Sequence, residues 1–320
     1  MVAAEKADPV ALPQRKERSP WADAVGQLMH NRLAVISLGF IVILILLAIF
    51  ADWVAPFDFA KNHLKDNYAL PNSTYWFGAD DLGRDIFTRT LYGTRVSVSV
   101  ALVAATVSLG IGLIYGIVSG YLGGRADDIM MRFVDFLYGL PIIIVVILLQ
   151  VYFKAVARRG EASGLFGTVI SLNKAMGGML FIFIALGALN WIGMARIARG
   201  QTLSYKEKEF VEAARSIGAS PPRIIFRHLL PNVLGPCIVQ ETLQIPGYIL
   251  TEAFLSFIGL GVDAPTPSWG IMIQEGYQAL RSHPHVLVAP ATALTLTVLA
   301  FNFLGDGLRD AFDPRLRGTS

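Results

Sequence analysis

The sequence contains a single cysteine, Cys237, so it has no internal disulfide. Charge is scarce as well. Asp, Glu, Lys and Arg make up 16% of the 320 residues, against about 25% in an ordinary soluble domain. The net charge of +3 is too small to argue for a nucleic-acid partner. No glycine–lysine pair occurs, which excludes a nucleotide-binding P-loop, and no cysteine–histidine grouping has metal-ligand spacing. His283 and His285 flank Pro284 and read as solvated loop residues. Nucleophile-elbow and kinase signatures are absent. If such a chain moves a solute uphill by ATP hydrolysis, another polypeptide must bind the ATP.

What is abundant is apolar: 54% of the residues are hydrophobic, and the mean hydropathy is +0.53. A soluble core this apolar would leave hydrophobic patches in water. A transmembrane helix needs about 20 apolar residues, and six segments qualify: 33–55, 96–119, 133–153, 175–195, 230–254 and 286–304. The first lies too deep in the chain, and is too long, for a cleaved signal peptide. The tail before it, Met1–Pro20, is rich in Ala, Pro and charge and reads as disordered. The expected organisation is a tail at 1–32, a first span with an external segment at 33–95, a core at 96–304 and a tail at 305–320. Within the core, a basic loop covers 196–230.

Six spans put both termini on one side. That side would carry 17 Lys and Arg residues and the other 10, which assigns the termini and the 196–230 loop to the cytoplasm. In the second span Ala104, Ser108, Gly112, Gly116 and Gly120 recur every four residues, a stripe that lets a neighbouring helix approach closely. Pro231, Pro236 and Pro246 predict that the fifth span is kinked or broken. Its Gln240, Glu241, Gln244 and Glu252 are candidates to line a polar path, since charge within hydrocarbon usually faces a cavity or a partner. Glu241 there would favour a cationic substrate, unless it is held protonated or paired.

The basic loop reads YKEKEFVEAARSIGASPPRIIFRHLLP over 205–231. Phe210, Ala214 and Ile217 fall on one face of an expected helix over 205–217, which Gly218 should end. Ser220 and Pro221 would then start a second short helix. On pattern alone this could be an amphipathic hairpin lying on lipid.

The same residues resemble the EAA loop of permease subunits of ATP-binding-cassette importers. Glu212, Ala213, Ala214 and Gly218, followed by Ala219, match that pattern, as do Leu230 and Pro231 at the required distance. His228 departs from it, standing where an apolar residue is usual. FADWVAPFD at the end of the first span, 77–97, 250–262, 265–270 and 301–317 narrow the resemblance to the C-type permease of the dipeptide, oligopeptide and nickel branch. Residues 154–176 look like an insertion. The resemblance implies an all-α integral membrane fold with six spans, of the type I importer kind, in a bacterial or archaeal inner membrane. It further implies a B-type permease partner, two cytosolic ATPase subunits that hold the ATP and magnesium, and an external substrate-binding protein. No cofactor is implied on this chain. Glu212, Ala213, Ala214, Gly218, Ala219, Leu230 and Pro231 would form the element that docks an ATPase. Short peptides are the first substrate expectation and nickel or a metal chelate the second. A stand-alone secondary transporter would predict an inverted repeat, and none is visible.

Overall fold

The computed structural model describes residues 20–159 and 164–312, and among these every regular element is helical. The order is α1 (Pro20–His30), α2 (Arg32–Ile49), α3 (Ala51–Val54), α4 (Ile86–Leu122), α5 (Gly124–Tyr138), α6 (Ile142–Arg159), α7 (Gly164–Ala175), α8 (Met179–Tyr205), α9 (Glu209–Ser216), α10 (Pro221–Arg223), α11 (Leu230–Phe257), α12 (Trp269–Gln278) and α13 (His285–Phe312). Residues 1–19 and 313–320, most of the two expected tails, and 160–163 of the insertion lie outside the described residues. Among the described residues four helices are long and apolar enough to cross a membrane, α2, α4, α8 and α13, or five if the bent pair α5–α6 is one span. α11 is equally long but carries two glutamates, two glutamines and three prolines.

The longest element is α4. Asp85 caps it by accepting from the Thr88 amide at 2.8 Å, and after 37 residues it is closed by Gly123, whose φ is +65°. At 1.5 Å per residue it is about 55 Å long, so its ends define the two ends of the bundle. The small-residue stripe is buried against α8. A side chain at Gly112 would meet Trp191 and Met194, one at Gly116 Ala195 and Ala198, and one at Gly120 Thr202. α8 is thereby brought almost backbone to backbone with α4. The core around this seam includes Val100, Ala104, Ile182, Ala185, Ile192 and Ile249.

Several sequence expectations need correction. The third span is not one straight helix. It breaks between Tyr138 and Ile142, and its halves α5 and α6 are bent by 75°. The cause is Pro141, which lacks an N–H and pushes Leu140 out of the helical region. The fifth span does not break at its prolines. α11 is continuous through Pro236 and Pro246, with Pro231 in its first turn. The irregularity lies just before it, in a π-helical turn over Ile224–Leu229, where the Leu230 amide donates five residues back to Ile225. The expected loop 196–230 is shorter than read, since α8 continues to Tyr205. Residues 154–159 and 164–175 of the insertion are helical. α13 likewise runs through 305–312. The histidines are not simply solvated: His283 stacks on Tyr68 at 4.0 Å between ring centroids, and His285 opens α13.

Candidate functional site

The segment 206–231 sits at the end of the bundle where α4 stops and α8 ends. The expected 205–217 helix is in fact α9, which starts only at Glu209 because Lys208 is extended (φ −84°, ψ 147°). The apolar face read from the sequence is divided in the structure. Val211 and Ala214 point inward, whereas Phe210 and Ile217 are exposed, Ile217 by 86%. Val211 and Ala214 join Ile117, Ala198, Ile224, Leu229 and Val233 in an apolar cluster. α9 packs on the turn over Ile224–Leu229, within an apolar cluster that extends to α4, α8 and the start of α11, with Leu230 at its edge.

The turn after α9 forms as expected. Gly218 has φ +80°, its amide donates to Arg215 O, and the Ala219 amide donates to Ala214 O, both at 3.0 Å. That is the paired bonding of a left-handed helix stop. A Cβ at Gly218 would meet nothing within 4 Å, so the demand for glycine is one of backbone conformation alone. Ser220 takes the N-cap position before Pro221 but makes no side-chain capping bond, and the expected second helix is only the three residues of α10. Glu212 and Ala213 are exposed, as is Pro231.

The four polar residues of α11 separate onto two faces. Gln244 is exposed and Gln240 half-buried, on the face shared with Gly247. Glu241 and Glu252 are buried on the face against α4. Glu241 accepts from the Tyr248 hydroxyl at 2.8 Å and from Ser108 at 3.2 Å. Glu252 accepts from Ser97 at 2.8 Å and Ser256 at 2.6 Å. Of the four residues expected as candidates to line a path, only Gln240 and Gln244 lie on the open face, while Glu241 and Glu252 are turned inward. Ser108 and Ser97, on α4, supply what two carboxylates in an apolar bundle need.

At the opposite end, charges converge. Arg89 is 2% exposed and Asp80 1%. The Arg89 guanidinium donates to Asp80 and to Glu275 of α12 at 2.7 Å. Arg84 adds a bond to Asp80 at 2.8 Å, while Asp80 also accepts from the amides of Leu82 and Arg84. Beside them, Trp269 of α12 is fully buried and donates from its indole to Thr90 O at 3.2 Å. Burial raises the Asp85 carboxyl above its usual range despite the Thr88 bonds that oppose the shift. The sequence reading did not bring this network together; Arg84 and Arg89 entered it only through the count of Lys and Arg on the external side. The available signal was their spacing from Asp80, four and nine residues on.

Two comparisons bear on this arrangement. Residues 112–318 match the family described as the binding-protein-dependent transport system inner membrane component. The chain belongs to that family. Residues 19–71 match the N-terminal transmembrane domain of oligopeptide transport permease C. Among curated proteins, an oligopeptide transport system permease from Bacillus subtilis is 42% identical over 98% of this chain and 96% of its own length. A dipeptide transport system permease from the same organism is 44% identical over 95% of this chain and 88% of its own. A glutathione transport system permease from Escherichia coli O6:K15:H31 is 39% identical over 99% and 97%. The chain is thus a multi-pass membrane permease subunit of a binding-protein-dependent ABC importer, non-catalytic itself, with ATP hydrolysed by separate subunits.

Proposed function

We propose that this permease is the C-type subunit of a short-peptide importer and that α9 is its coupling helix. The relatives' printed names, oligopeptide, dipeptide and glutathione permeases, support peptides over nickel. The observation that carries the coupling role is the split of α9. Val211 and Ala214 hold it to the subunit, while Phe210 and Ile217 stand exposed beside the Gly218 stop. An exposed apolar pair on a helix fixed from behind suits insertion into a groove of a partner protein.

In this reading α2, α4, the bent pair α5–α6, α8, α11 and α13 are the six crossings, with both termini and α9 in the cytoplasm. The 17-to-10 imbalance of Lys and Arg supports that orientation. A B-type permease, two ATPase subunits and an external binding protein complete the assembly. The path runs along the face of α11 that carries Gln240, Gln244 and Gly247. Glu241 and Glu252 lie behind that face and fix its position against α4.

Copurification tests the coupling role. Ile217→Asp should leave the permease inserted and abundant while the ATPase subunit no longer copurifies, and retention of the ATPase would refute it. Uptake of a labelled tripeptide, unaffected by nickel, is the outcome expected for the substrate. Glu241→Gln should preserve peptide preference, because the Gln oxygen can still accept from Tyr248 while its amide donates to the Ser108 hydroxyl, which can itself donate to Asn190 O. A changed preference between cationic and neutral peptides would put Glu241 in the path after all.

A further inference from the structure

We propose that Asp127 and Arg199 form a joint that makes the bent helix pair α5–α6 follow the coupling helix. This rests on α9 being that helix. α5 is poorly held by packing: of its residues only Asp127 and Val134 are buried, and Ile129, Phe133 and Phe136 are exposed. Its backbone link to α4 is two glycines in left-handed conformations, Gly123 (φ +65°) and Gly124 (φ +54°). Neither feature transmits a displacement.

Charge pairs to α8 do. Arg199 grips Asp127 with two parallel bonds, Nε to Oδ1 at 2.6 Å and Nη2 to Oδ2 at 2.5 Å, and Ser119 of α4 donates to the same carboxylate. One turn back along α8, Arg196 bonds Asp135 at 2.6 Å and lies over the Tyr138 ring at 4.1 Å. Asp127 precedes Asp135 on α5, whereas Arg199 follows Arg196 on α8, so the pairs tie two antiparallel helices at successive levels. A two-bond guanidinium–carboxylate fork fixes orientation as well as distance. α8 in turn ends at Tyr205, three residues before α9 begins, and Lys206 in that link donates to Gly120 O at 3.1 Å. A shift of α9 therefore reaches the end of α8 directly, and the fork passes it to α5. The break before Ile142, with its 75° bend, converts rotation of α5 into a swing of α6. Asp127 and Arg199 are positioning residues, since they act through α5.

The test uses the complete transporter, with partner permease, ATPases and binding protein, reconstituted in proteoliposomes, where peptide uptake and ATP hydrolysis are measured together. Asp127→Asn and Arg199→Gln should each lower peptide uptake per ATP about tenfold, within the range usual for coupling between sites, at unchanged yield of the assembled complex. The exchange Asp127→Arg with Arg199→Asp should recover uptake per ATP, because the pair is restored with its polarity reversed. Unchanged uptake per ATP in the single variants would overturn the joint. So would a fall in complex yield in step with uptake, which marks a purely structural pair, or failure of the exchange to recover coupling. Ile217→Asp, run in parallel, separates the two readings. Loss of the ATPase there, together with unaffected Asp127 and Arg199 variants, defeats the joint alone, whereas a retained ATPase defeats the coupling role of α9.

Discussion

The loop before α4 and the helix α9 beyond its far end are held in opposite ways. At the start of α4, Asp80, Arg84, Arg89 and Glu275 form one buried network joining the loop before α4 to α12. Every member is held by groups of the same subunit. At its far end, α9 is held by a single apolar layer, and its other face is left with Phe210 and Ile217 in the open. A buried network of mutually bonded charges fixes one geometry, because any displacement strands a buried charge. An apolar layer tolerates small slides, because its attraction is non-directional. The first end suits a rigid platform and the second a moving contact completed by another protein.

The largest expected effect comes from breaking the rigid end. Arg89→Met leaves Asp80 buried with one cation fewer and should cost about 3–5 kcal/mol, read as a lower unfolding midpoint of the purified subunit in detergent. If the midpoint does not move, the network is not what makes this end rigid. Next in size is Gly218→Val. It forces a β-branched residue to φ +80° at roughly 1–2 kcal/mol, with no steric clash because the site is open. Transport should therefore be abolished while membrane insertion and abundance stay normal. Gly218→Asn, which tolerates the left-handed region, should keep activity; if both variants transport normally, the turn is not part of the moving contact.

The smallest effect concerns protonation at the rigid end. The Asp85 carboxyl is raised by burial, so the folded state keeps a proton at a pH where the unfolded chain has released it. Stability therefore falls as pH rises from below the ordinary carboxylate value through the raised one, and is flat above it. Asp85→Asn keeps an oxygen for the Thr88 amide and should abolish that acid-range slope in detergent unfolding. A slope that persists unchanged would assign it to another carboxylate.

The contrast between the ends also explains what was legible beforehand. Gly218 and the EAA spacing were readable, because a left-handed stop needs a particular residue at a particular place. The sequence put Phe210, Ala214 and Ile217 on one apolar face, but periodicity does not say which apolar edge of α9 finds a neighbour, and Val211 with Ala214 is the edge that does. The stripe from Ala104 to Gly120 was read correctly as a close-packing face. The second role of Ser108, as the partner of Glu241, had no sequence signal, because 133 residues separate them. Asp127 and Arg199 were likewise only charges near a span.

The sequence by itself determined that this is a helical membrane protein of the importer permease kind. Hydropathy, the charge distribution and one local turn motif are properties of short stretches of chain. The tertiary structure alone decided the partners of the α11 carboxylates and the charge pairs at each end. Buried charge is tolerated only where distant residues converge on it, and convergence is set by how the helices pack.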